Sequence, residues 1–112
     1  MSTGEELLMK GTLHGSIAGI TRKDWSLLYL ELTTRHIHVF EGHEDPRAAR
    51  KHLRSLEVKD YGSVVPEKAV KFTLVGTDGG NCTFKCDTEY TKQKWIQALK
   101  KAIEIRKTVW LR

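Results

Sequence analysis

The densest positive charge in this chain of 112 residues lies in one eight-residue window, where Arg47, Arg50, Lys51, His52 and Arg54 stand together. A smaller group is the pair Arg22-Lys23. Guanidinium and ammonium groups at this density suit phosphates or carboxylates, and the net charge of +5 leans the same way. Anionic lipid headgroups, nucleic acid or an acidic protein face are the partner classes that charge favours. Asp45-Pro46 suits a helix cap followed by proline at the first helical position, and Ala48 and Ala49 favour a short turn. If 46–52 is helical, Arg47 and Lys51 share one face at i, i+4.

Other reactive types carry less. His36 and His38 share a strand face at i, i+2, but no cysteine or carboxylate stands at a suitable spacing. They read as surface histidines, and no metal or cofactor is expected. Cys82 and Cys86 lie four residues apart in one strand, so their Cα atoms are roughly 13 Å apart, beyond disulfide reach. Both read as reduced core residues. No Gly-x-Ser-x-Gly, phosphate-binding glycine loop or His-Glu-x-x-His is present. The carboxylate pairs Glu5-Glu6 and Glu44-Asp45 sit on polar stretches, so no enzymatic role is expected. Nucleic acid needs aromatics interleaved with a basic groove. Trp25, Phe72, Phe84 and Trp95 are better used in a core, so it is not an expected partner.

Alternating apolar residues define the elements that must carry these groups. Strands are expected over 7–14, 25–32, 35–41, 53–58, 63–65, 70–75 and 82–86. The run Thr77-Asp78-Gly79-Gly80-Asn81 is a turn. From Thr88 the period changes to 3.6, with Trp95, Ala98, Leu99, Ala102 and Ile103 in one stripe. Asp87 or Thr88 can cap this helix, which no proline or glycine interrupts through Arg106. The length suits a single domain, expected over 7–107, with a flexible lead 1–6 and a tail 108–112. No apolar run approaches the roughly 20 residues of a membrane span, and Met1 to Glu6 does not resemble a signal peptide. A cytoplasmic location is the expectation.

Seven short strands followed by one amphipathic helix make a restricted pattern, since one apolar helix stripe can cover an open end of a bent sheet. Over about 7–107 the chain resembles the pleckstrin-homology (PH) family. The matching features are Gly11-Thr12-Leu13, the stretch Trp25-Ser26-Leu27-Leu28-Tyr29-Leu30-Glu31-Leu32, and the helix tryptophan in Lys94-Trp95-Ile96-Gln97-Ala98-Leu99. The resemblance implies a mainly β fold, a seven-stranded antiparallel barrel or sandwich capped by a C-terminal helix. In members that bind phosphoinositides, a lysine at the end of the first strand and an arginine in the second grip the headgroup at the barrel mouth. Those positions fall at or beside Gly15 and on Leu28 here, and neither is basic. His38 falls where some members place a headgroup-contacting tyrosine.

Two functions follow from this resemblance. One is a non-catalytic signalling module that recruits a larger protein to anionic or phosphoinositide-containing membranes. Arg22, Lys23, His38, Arg47, Arg50, Lys51 and Arg54 would then form a basic rim at the mouth, binding lipid with strong salt dependence. The other is a protein-interaction domain, binding a small GTPase or supporting an adjacent exchange-factor domain. The missing headgroup residues favour it, as does Glu5-Glu6-Leu7-Leu8-Met9-Lys10, which looks like the continuation of a preceding helix. The isolated domain is expected to be a monomer.

Overall fold

The computed structural model describes residues 5–21, 25–43, 45, 47 and 49–110, without the side chains of Val109 and Trp110. Its elements are β1 (Leu7–Ile17), β2 (Ser26–Thr33), β3 (His36–Glu41), β4 (His52–Glu57), a 3-10 turn (Val58–Asp60), β5 (Tyr61–Pro66), β6 (Lys71–Gly76), β7 (Asn81–Lys85) and α1 (Glu89–Trp110). All pairings are antiparallel, in the order β4-β3-β2-β1-β7-β6-β5. No ladder joins β4 to β5 among the described residues, so the sheet is not closed.

Side chains alternate across the sheet with period two, and this parity decides which groups face solvent. Leu13 and Ile17 of β1 point inward with Leu28, Leu30 and Leu32 of β2, Phe72 and Leu74 of β6, and Cys82 and Phe84 of β7. The stripe of α1 completes this core: Trp95 is only 1% exposed, and Leu99, Ala102 and Ile103 are buried, joined by Ile96. The helix lies against β5 and the 3-10 turn. Thr88 caps it, its hydroxyl accepting from the Thr91 amide at 3.1 Å. It runs beyond the expected end at Arg106 because no breaker intervenes, and the Thr108 hydroxyl donates to the Glu104 carbonyl at 3.0 Å.

Three local expectations are corrected. Leu7–Lys10 belongs to β1 and does not continue a helix. Trp25 is neither in a strand nor in the core; it stands half-buried just before β2 with φ +62°, in the left-handed region. Pro46 and Ala48 lie outside the described residues. Of the described residues in the window expected to be helical, 49–51 are irregular and His52 already opens β4, while Asp45 accepts from the Arg47 amide at 2.9 Å.

One buried charge fixes a loop of the site. Lys92, 4% exposed, donates from Nζ to the carbonyls of Glu67 and Ala69, 2.7 Å each. The helix thereby pins the turn between β5 and β6, which leads directly into Lys71.

Candidate anion-binding site

The mouth between the β1–β2 and β3–β4 connections holds a hollow of about 470 Å³. Ile20, Leu27, Leu28 and Leu53 supply apolar walls, and Lys51 and Glu41 its charges. Among the described residues this is a single cation set against a carboxylate, which makes a poor phosphate cradle. Gly15 and Leu28 show why this pocket lacks its family lysine and arginine. Both face inward, and a Cβ on Gly15 would stand 2.9 Å from Leu28 Cδ1 and from Phe84 Cδ1. Leu28 is core, 2% exposed.

The basic residues expected to ring the mouth separate in space. Arg22 and Lys23 lie outside the described residues. Arg47 is 92% exposed beside Asp45, at 3.7 Å. Arg50 leaves the mouth for the outer face, where its guanidinium lies over the Tyr29 ring at 4.0 Å. Its buried Nε has no acceptor among the described residues. Lys51 lines the mouth, whereas Arg54 lines a different hollow of about 260 Å³ that also holds Asp60 and Asp78. His38 is on the outer face of β3, its Nδ1 2.6 Å from Ser55 Oγ. Among the described basic residues, only Lys51 is therefore placed to meet a ligand in the mouth itself.

A second basic group lies where the sequence reading did not look. On the outer face, His14 of β1 is opposite Lys85 of β7, and Lys85 is opposite Lys71 of β6. The next row along the same strands is Ser16, Thr83 and Thr73, three hydroxyls. The Trp25 ring overhangs the lysines, with Lys85 Nζ 5.0 Å and Lys71 Nζ 5.3 Å from its centroid. Neither lysine has an ion pair with a described carboxylate. Directly opposed like charges destabilise a sheet, and a left-handed tryptophan costs about 1–2 kcal/mol. Cation–π attraction to the ring offsets part of both. The legible signals were the lysines at outward parity beside Phe72 and Phe84, but nothing local to either strand shows that Trp25 reaches them.

His36 and His38 do share the outer face of β3. The fold adds a carboxylate that spacing did not reveal: Glu5 Oε1 lies 2.7 Å from His36 Nδ1 and 3.6 Å from His38 Nε2. The hydrogen bonds from His36 and Thr33 hold the Glu5 carboxyl below its ordinary value. Burial pushes the Cys86 thiol up to about 11 and the Cys82 thiol in the same direction, as befits core cysteines.

Among solved structures, this fold is similar to the Slm1 PH domain in complex with D-myo-inositol 4-phosphate. That match has 22% identity and a TM-score of 0.68, over 87% of this chain and 95% of that one. A structure of the Vav1 exchange factor, which addresses its PH and C1 domains, matches at 18% identity and TM-score 0.69, over 87% of this chain and 25% of the other. The human ARAP2 N-terminal PH domain matches at 15% identity and TM-score 0.66, over 95% and 85%. A search of curated protein sequences finds no match. No helix among the described residues is long and apolar enough to cross a membrane. The PH domain family model matches residues 4–104, and with this strand order and capping helix the chain belongs to the PH domain family.

Proposed function

We propose that this domain is a non-catalytic module that brings a larger protein to anionic, phosphoinositide-containing membranes, holding the phosphorylated headgroup on the outer face beside Trp25. The observation that carries this reading is the opposed pair Lys71 and Lys85 under a strained tryptophan, with no described carboxylate in ion-pair contact with either. A phosphate placed there relieves the repulsion, with Thr83 in the next row as a hydroxyl donor; Thr73 in that row already donates to Glu67 at 3.3 Å. The indole, half-buried at a loop end, suits the headgroup depth of a bilayer. The Slm1 PH domain, similar in fold, binds ligand in a non-canonical site, a precedent for more than one ligand location on this fold. The rim of Arg47, Arg50, Lys51 and Arg54, with Arg22 and Lys23, then supplies general attraction to the membrane and not the headgroup contacts.

Co-sedimentation tests this with neutral, phosphatidylserine and phosphoinositide vesicles at low and physiological salt. Hydrogen bonds to a charged phosphate are worth about 1.5–3 kcal/mol each, so Lys71→Ala/Lys85→Ala is expected to weaken partition by roughly a hundredfold or more. Arg47→Ala/Lys51→Ala removes only general attraction of at most about 1 kcal/mol per residue and should weaken it less, by no more than roughly thirtyfold. The reverse ranking would return the site to the mouth. Failure to bind any vesicle would leave the protein-interaction reading, a small GTPase or an adjacent exchange-factor domain.

A further inference from the structure

The outer face of β3 carries a second constellation, remote in chemistry from any phosphate site. His36 and His38 stack with ring centroids 5.3 Å apart, and Glu5 closes the group from the segment before β1. One ligand atom from each of the three lies within 4.8 Å of the other two. Zinc bonds of about 2.0–2.1 Å set donor–donor separations of roughly 3–3.4 Å. The Glu5–His36 and Glu5–His38 distances of 2.7 and 3.6 Å bracket that range, while the two histidine donors, within 4.8 Å of each other, close on the ion by side-chain rotation.

The surroundings already hold the ligands in binding orientation. His38 Nδ1 is engaged by Ser55 Oγ at 2.6 Å, and Ser55 Oγ is itself 3.0 Å from His52 Nε2. This leaves His38 Nε2 turned toward Glu5, the arrangement in which one imidazole nitrogen is anchored and the other binds metal. The buried Thr33 hydroxyl donates to Glu5 Oε1 at 2.7 Å and accepts from the His36 amide at 2.8 Å, tying carboxylate and histidine to one anchor. The three side chains are 28–32% exposed, so water can complete the coordination.

We propose that Glu5, His36 and His38 form a site for one divalent transition-metal ion of the zinc class, which clamps the segment preceding β1 onto β3. Two nitrogen donors and one carboxylate select zinc, nickel or copper over magnesium and calcium, which take oxygen ligands. On binding, the ion takes the place of the proton between His36 Nδ1 and Glu5, and that proton leaves to water. The clamp reinforces existing backbone links, the Thr34 amide to the Glu6 carbonyl at 3.0 Å and the Glu6 amide to Thr34 Oγ1 at 3.2 Å.

The test is isothermal titration of ZnCl2, and separately of MgCl2 and CaCl2, into the full chain after chelator treatment. One Zn2+ per chain is expected, with no matching heat from Mg2+ or Ca2+. His36→Gln and His38→Gln keep a hydrogen-bonding side chain, and each should lower Zn2+ affinity by at least about tenfold, the loss that a supporting-residue change alone causes. Glu5→Gln should do the same and serves if a histidine variant does not fold. His43→Gln, which leaves the trio intact, should bind as the parent chain does. Amide exchange at Glu6 and Thr34 should slow with Zn2+ in the parent chain and not in His38→Gln. Zn2+ binding that survives loss of His36 and His38, Mg2+ binding of equal strength, or no Zn2+ binding overturns the proposal.

Discussion

At the mouth, Lys51 lines a hollow with Ile20, Leu27 and Leu53, and the Glu41 carboxylate in the same lining opposes any incoming phosphate. On the outer face of β6 and β7, Lys71 and Lys85 confront each other beneath the Trp25 indole. The contrast is one of parity. Gly15 and Leu28 lie on the inward phase of their strands, where a basic side chain would enter the core, while Lys71 and Lys85 lie on the outward phase. Proximity of cations in sequence is thus a weaker guide to an anion site than the face each strand presents.

The most severe way to break the contrast is to force the family's arginine into the mouth. Leu28→Arg places a guanidinium at a position 2% exposed among Leu13, Phe84 and Gly15, with only Glu41 at the rim of the hollow as a described acidic neighbour. A loss of about 3–5 kcal/mol is expected from denaturant unfolding, with no gain in phosphoinositide binding. A stable variant that binds tightly would show that the mouth can be refilled at little cost.

Lys92→Leu comes next. It strands the Glu67 and Ala69 carbonyls and releases the turn that positions Lys71. Unfolding should report a loss of about 1–3 kcal/mol, and vesicle binding should weaken while the mouth is untouched. Binding as strong as in the parent chain would uncouple that turn from the site.

Trp25→Ala is a smaller change that sharpens the comparison. Loss of two cation–π contacts removes about 0.5–1 kcal/mol each, and the left-handed backbone strain stays because alanine also carries a Cβ. Stability should therefore fall by about 1–2 kcal/mol at most, while vesicle binding falls several-fold. Unchanged binding would reduce Trp25 to a packing role.

The smallest expected effect is an absence of reaction, and it checks the parity argument itself. Cys82 and Cys86 flank Phe84 on the inward phase, so Lys85 must point out. A thiol raised to about 11 is a poor nucleophile at pH 8, and native protein should resist thiol reagents that label it at once in denaturant. The sign of the linkage follows. Because the folded value lies above the ordinary 9.0, burial of the neutral Cys86 thiol stabilises the fold below pH 9, and that contribution is lost as pH rises through about 11. Fast labelling of folded protein at pH 8 would mean that the phase of β7 is reversed.

The residues themselves determined a good deal. Alternation of apolar side chains located all seven strands to within a few residues, because a period of two is a local property. The stripe from Trp95 to Ile103 located the helix for the same reason, and Gly79 at φ +94° sits in the turn marked by Thr77-Asp78-Gly79-Gly80. The absence of a basic residue at Gly15 and Leu28 was legible too, and so was the doubt it casts on the mouth. Local reasoning failed where partners come from far along the chain. Trp25 carries the composition of a core residue, yet it lies outside the core because a left-handed turn swings it over strands about 50 residues later. Glu5 has no histidine near it in sequence and meets His36 only because the β2–β3 turn folds back beside the start of β1. Arg50 and Arg54, four residues apart, part company at the β3–β4 irregularity between Val39 and Phe40. Pattern along a chain sets which face a residue prefers; which distant residue shares that face depends on strand register, and register is decided only when the whole sheet pairs.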